Sequence, residues 1–396
     1  MAFCQEIEQM YIKILLNFCR IFIISVVVLL HNTNAYSQTY EFHGMLSGWI
    51  TANNDEDIKT QLGLRYIPRF SLEQSISKSY SLTAELSLNA HGAGYFRSID
   101  NVETDGNIKP YRMWFRFSSS QFEARLGLQK INFGTATLLR PLMWFDRIDP
   151  RDPLQITDGV YGLLFRYYFL NNANIWVWGL YGNDETKGLE INPTADNSIE
   201  YGGRLQLPLY SGEIAFTYHH RQAEINKELL LLEQNSAFSF PENRIAIDGK
   251  WDAVIGLWFE ATFEHQNSAM LLFPWRRALN IGLDYTFAMG NGLYSAYEHF
   301  ILEMSEEAFS SGEQVSFSAL LINYPLGLMD TIRGIVYYDW ENHELYRFVN
   351  WQRTYDRWSF YIMGFWNPKQ FLIYQSKEMN NLFTGKGFQF MVVFNH

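Results

Sequence analysis

Cysteine is almost missing from this chain of 396 residues: there are two, Cys4 and Cys19, both near the N-terminus. The body of the chain can therefore hold no disulfide framework and no cysteine-based metal site. Charge is scarce as well. Asp, Glu, Lys and Arg together reach 18%, against about a quarter in an ordinary soluble domain. After residue 30 no apolar run approaches the roughly 20 residues that a membrane-crossing helix needs. Mean hydropathy is −0.17, so a bundle of transmembrane helices is excluded. No internal repeat or low-complexity linker marks a second domain. Neither G-x-S-x-G nor H-E-x-x-H occurs, which removes the linear signatures of common hydrolases and zinc proteases. The formal charge of −11 gives no basic footprint for nucleic acid, and no such partner is expected.

Aromatic residues are abundant instead, at 17%, with 24 Tyr, 31 Phe and 12 Trp. They sit in short segments where apolar and polar residues alternate. The stretch 122–169 shows the pattern best. Phe122, Ala124, Leu126 and Leu128 alternate with Glu123, Arg125, Gly127 and Gln129. Tyr161, Leu163, Phe165, Tyr167 and Phe169 line one face of a second segment. Period two means a strand with one apolar face. The link between them is too long and too rich in Pro and Asp for a hairpin turn, and reads as a loop near 134–158 that folds into or over a pore. Alternating segments run from 39–51 to 386–394, each near the roughly 9–11 residues of a tilted membrane strand. They predict an all-β fold: a transmembrane antiparallel β-barrel of about 18 strands, within 16–18. Short links alternate with long ones, such as 96–107, 134–158, 182–198, 222–243 and 367–385, which fits short periplasmic turns and long outer loops. Trp49, Trp176, Trp275 and Trp366, near strand ends, suit interfacial aromatic girdles.

The N-terminus reads as a cleaved signal peptide over 1–37. Lys13 and Arg20 precede the apolar run 21–30, and Ala35-Tyr36-Ser37 offers small residues at the cleavage position. Residues 38–396 then form a single barrel in the outer membrane of a Gram-negative bacterium, with outer-membrane lipid around it.

Four stretches carry a family resemblance. RLGLQKINFG, then LLRP and FDRIDPRDPL, then DGVYGLLFRYYF, are similar to a pattern in porin-like outer-membrane β-barrels, including alginate-export-like ones. The matching positions are Arg125, Gly127, Gln129, Asn132, Phe133, Gly134, Arg140, Pro141, Asp149, Pro150 and Asp152, with Phe133 where that turn commonly has Trp. The resemblance implies passive or facilitated passage of a small solute. The end, GFQFMVVFNH, resembles the C-terminal strand that such barrels present to the barrel-assembly machinery, although Asn395 and His396 follow the last aromatic residue.

Strand parity places Arg65, Arg69, Arg112, Arg116, Arg125, Gln129, Arg166, Arg204 and Arg221 in the lumen, because a charge facing lipid at mid-depth costs about 2–4 kcal/mol. The second half supplies Asp248, Glu260, Glu264, Asp284 and Glu298. An arginine wall opposite an acidic one sets a transverse field; alternatively Glu73, Glu85 and Glu123 neutralise the arginines on their own side. Arg140, Asp146, Arg147, Asp149, Arg151 and Asp152 form a constriction in the long loop, pin it by salt bridges, or hold a divalent cation. Spaced carboxylates alone are a weak metal signal, and neither metal nor cofactor is expected. His219 and His220 face opposite sides of a strand and cannot share a metal. The resulting expectation is a porin-like channel for small anionic or polyhydroxylated solutes. The alternatives are a structural or surface-binding barrel and a barrel-embedded hydrolase.

Overall fold

The computed structural model describes residues 37–54, 60–98, 101–225, 238–368, 383 and 385–396. The expected leader, with Cys4 and Cys19, lies outside the described residues except for Ser37, where the first strand begins.

Eighteen antiparallel strands follow one another in chain order. The first nine are β1 (Ser37–Asn53), β2 (Thr60–Ser75), β3 (Ser81–Ser98), β4 (Asn101–Ser118), β5 (Phe122–Gln129), β6 (Val160–Tyr168), β7 (Asn174–Tyr181), β8 (Ile199–Leu209) and β9 (Gly212–Glu224). The second nine are β10 (Ser239–Asp252), β11 (Gly256–Gln266), β12 (Trp275–Phe287), β13 (Leu293–Ser305), β14 (Glu313–Pro325), β15 (Asp330–Asp339), β16 (Glu344–Thr354), β17 (Trp358–Trp366) and β18 (Lys386–Asn395). Each strand pairs with its sequence neighbours, and β1 pairs with β18, so the sheet closes on itself. Closure leaves no open edge of unpaired N–H and C=O groups, the condition for strands to stand in lipid.

The alternation is realised as a lipid face and a lumen face. Leu279, Ile281, Leu283, Tyr285 and Phe287 of β12 are exposed outward, while Arg276, Ala278 and Asn280 are buried inward. The seam runs from Met45↔Asn395 to Asn53↔Gly387. It continues to the last residue: the Gly44 and His396 backbones exchange two hydrogen bonds of 3.0 Å, and the His396 ring reaches the Tyr66 hydroxyl at 3.1 Å. The two residues after Phe394 therefore complete the closing strand rather than trail from it.

Two expectations are corrected. The long link expected at 96–107 is instead the continuation of β3 and β4, each 18 residues long. Glu103 and Asp105 remain compatible with pairing there because that end of the hairpin is exposed. Trp49 and Trp176, assigned to girdles, point into the lumen, where Arg65 and Arg166 lie over their rings. Trp275 and Trp366 keep the outward parity.

Wall height is uneven. Strands β5 and β7 have only 8 residues, roughly 26 Å at about 3.3 Å per residue, against 16–18 in β1 to β4. The chain beside the low section, residues 130–159 and 182–198, turns into the lumen.

Candidate functional site

Residues 130–159 enter the barrel through two glycines. Gly127, at φ +123, sits where a Cβ would fall 2.2 Å from the Met113 carbonyl oxygen. Gly134, at φ +97, sits where one would fall 2.4 Å from Glu260 Oε1. Only glycine adopts such φ values without strain, and only its bare Cα lets the loop backbone reach that carboxylate. Glu260 accepts the backbone N–H groups of Thr135 (2.5 Å), Ala136 (2.7 Å) and Leu142 (3.1 Å). One strand pair further round, Glu298 accepts Thr137 N–H (2.7 Å) and its hydroxyl (2.9 Å), Leu138 N–H (3.1 Å) and Leu139 N–H (2.6 Å). Both carboxylates are fully buried. Donors that strand pairing would have satisfied are thus satisfied by the wall.

The loop also carries its own apolar cargo. Leu138 and Leu139 pack on Phe300, Phe317, Ile335, Tyr337 and Phe348 of β13 to β16. Ile131, Phe133, Leu142, Trp144 and Phe145 pack on Leu164 and Trp178 of the opposite wall. Its charges close on one another. Arg140 binds Asp146 at 3.2 Å and Asn132 at 2.6 Å, and Arg151 forms a fork on Asp149 at 2.6–3.0 Å. Arg147 reaches across to Thr186 at 2.5 Å. Of the readings open in the sequence, this is the pinned loop. Among the described residues no group of three or more His, Cys, Asp or Glu stands ready to hold a metal ion.

Residues 182–198, expected as an outer loop, form a second insertion. Gly188 N–H donates to the Asp146 carbonyl at 3.1 Å, joining the two loops. Glu190 takes Arg244 at 2.7 Å and Arg221 at 3.2 Å. Arg221 in turn binds Glu242 (2.6 Å), Thr194 (3.1 Å) and the Asn192 carbonyl (2.9 Å), and Arg244 also contacts Glu242. The signal in the sequence was the excess of inward charge on β9 and β10, which required a partner beyond the strands.

The acidic side of the expected transverse field is consequently spent. Glu260 lines no passage, since it holds the loop. Glu264 faces Arg276 at 3.4 Å, Asp248 forks Arg204 at 2.6 and 2.7 Å, and Asp284 accepts the Tyr294 hydroxyl at 3.1 Å. Arg204 is buried beneath Phe133. Gln129 is also fully buried, donating to the Arg125 and Gly162 carbonyls. Arg112 braces the loop's return through the Thr157 carbonyl at 3.0 Å. His219 is buried against Glu200 and Trp178, while His220 binds Asn243 on the other face.

Near the short-turn end the balance differs. Arg166, Arg125 and Arg116 approach the single carboxylate of Glu123 at 3.1, 3.5 and 4.0 Å. The Nε atoms of all three are buried and unbonded. Arg69 is exposed on the same inner face, Arg65 lies higher, and Glu85 and Glu73 stand nearby. Here the arginines outnumber their carboxylates.

The loop contains one group poised to titrate. Asp152 accepts N–H from Leu154 (2.9 Å) and Ile156 (3.2 Å), yet burial, reinforced by Asp149, raises its carboxyl to about 6. Asp146 is raised by burial too, against Arg140. A folded value above the unfolded one, about 3.9, means seating is strongest below pH 4 and weakens as pH rises through about 6. Hydrogen exchange at Leu154 and Ile156 should therefore be better protected at pH 5 than at pH 7.5 after correction for intrinsic rates. Asp152→Asn should flatten most of that difference, and equal pH dependence in both proteins would disprove the assignment.

No family model matches the chain, and no curated protein matches it. Solved structures do. OmpT, an outer membrane protein of Vibrio cholerae in its in-vitro folded trimer form, aligns over 91% of this chain and 99% of its own, with TM-score 0.51 and 10% identity. The fold is that of the porin-like outer-membrane barrels. OmpF of Salmonella typhi, in complex with daunomycin, aligns over 90% of this chain and 97% of its own (TM-score 0.48, 10% identity). An anion-selective porin from Comamonas acidovorans aligns over 91% and 100% (TM-score 0.45, 10% identity). At such identities the likeness of this porin-like barrel is one of fold.

Proposed function

We propose that this barrel is a channel of the Gram-negative outer membrane, through which small solutes, with a bias toward anionic ones, pass by passive or facilitated diffusion. The observation that carries the bias is the convergence of Arg116, Arg125 and Arg166 on Glu123. Arginine stays charged at all relevant pH values, and permeation follows the local field at a constriction rather than net charge, so a chain of charge −11 can still favour anions. Arg69 extends the positive track. In this reading β18 is the segment presented to the assembly machinery, since it closes the ring.

The test is the reversal potential under a salt gradient for the wild type and for Arg116→Gln/Arg125→Gln/Arg166→Gln. The wild type should prefer anions, and the triple variant should shift toward cations. Cation preference in the wild type, or no shift, would rule out the arginine mechanism. One observation favours a second reading, a structural or surface-binding barrel: two loops enter the lumen and bond to its wall. Absence of any conductance from correctly folded protein in planar bilayers would decide for it.

A further inference from the structure

Between the loop and the tall wall lies a half-enclosed cavity of about 40 Å³, lined among others by Trp49, Gln61, His91, Gln389 and Asp152. We infer that this cavity is a binding site for a small uncharged polyol, or for the leading hydroxyl groups of a larger sugar. The inference rests on the channel reading for its purpose but not for its test.

Unsatisfied polar atoms carry the argument. His91 Nδ1 and Gln389 Oε1 are buried with no hydrogen-bond partner. One step deeper on the same face of β3, Asn89 is 1% exposed, and both its amide nitrogen and its amide oxygen are unbonded. A buried polar atom without a partner costs about 1–3 kcal/mol, and folded proteins retain few of them unless water or a ligand completes the set. These atoms include both donors and acceptors, and the Asn and Gln amides among them carry no charge. That is the complement of a hydroxyl group, which donates once and accepts twice.

The charges present argue against an anion. Asp105 and Asp152 line the cavity with Arg65, so no positive excess exists there, unlike the cluster around Glu123. Trp49 and Met391 supply an apolar flank for C–H groups. The volume holds roughly three water-sized groups, enough for one hydroxyl-bearing end of a polyol, with the remainder of the molecule in the open mouth. Water would occupy the site at rest and be exchanged, hydroxyl for hydroxyl, as solute arrives.

Saturation-transfer NMR on the folded barrel in micelles, with glycerol and xylitol as probes and acetate as the anionic control, tests the site. Both polyols should show transfer that saturates with concentration. His91→Phe should weaken it at least tenfold, and Asn89→Leu, behind the lining residues, should weaken it by a smaller factor. Because those variants replace unsatisfied groups by apolar ones of similar size, their urea midpoints should stay level or rise, whereas loss of a structural hydrogen bond would lower them. No transfer in the wild type, wild-type transfer in both variants, lowered midpoints, or stronger transfer to acetate than to glycerol would each overturn the site. Absent transfer in a barrel that conducts would reject the site alone, and transfer in a barrel that does not conduct would reject the channel alone.

Discussion

Glu298→Ala should free the inserted loop. The change strips the acceptor from Thr137, Leu138 and Leu139 and from the side chain of Asn280 in a region with no access to bulk water. Each orphaned donor costs on the order of 1–3 kcal/mol, so together they rival the apolar packing of Leu138 and Leu139 that remains. The loop is then expected to leave its seat for a measurable fraction of the time. In proteoliposomes, trypsin should cut after Arg147 or Arg151, which the wild type protects through the bond of Arg147 to Thr186 and the burial of Arg151; Arg140 precedes Pro141 and stays uncut. Single-channel current should become larger and noisier. Glu298→Gln, which keeps the shape and one acceptor, should give an intermediate result. Unchanged protease protection in the alanine variant would show that apolar packing alone holds the loop.

Glu242→Ala should be the more damaging substitution for folding. Arg221 and Arg244 are each 1% exposed and share this carboxylate, while Gln266 donates to it at 2.5 Å. Without it, two guanidiniums face one another with Glu190 as their remaining counter-ion. Breaking a buried pair in this way costs about 3–5 kcal/mol. The heat-modifiable folded form should fall sharply, and the urea midpoint of what does fold should drop. Arg244→Met introduced beside Glu242→Ala removes one stranded charge and should recover part of the loss. A double variant no better than the single one would mean the network is not held by charge.

The strands were legible because a period of two is a local property: each residue's face follows from its neighbours, as Leu279 to Phe287 show. The loop at 130–159 was legible from its length and its density of Pro, Asp and Arg. The lumen was not. Parity says that Glu260 and Arg204 point inward, but the loop backbone that covers Glu260 comes from residues 134–142, more than a hundred positions earlier. Nothing in alternation distinguishes an inward carboxylate facing water from one facing backbone amides. Residues 182–198 looked like any outer loop because the partners of Glu190 lie on β9 and β10. Trp49 and Trp176 misled because nearness to a strand end outweighed parity in reading them.

The route taken by residues 130–159 also constrains the order of assembly. The loop's anchors, Glu260 on β11 and Glu298 on β13, are made long after it, and the ring is sealed only when β18 reaches β1, from Met45 to Asn395. Contacts of such separation form slowly, because the intervening chain must first be organised. Docking of the loop therefore waits on β11 and β13, and the lumen that it occupies has a complete wall only once the seam has closed.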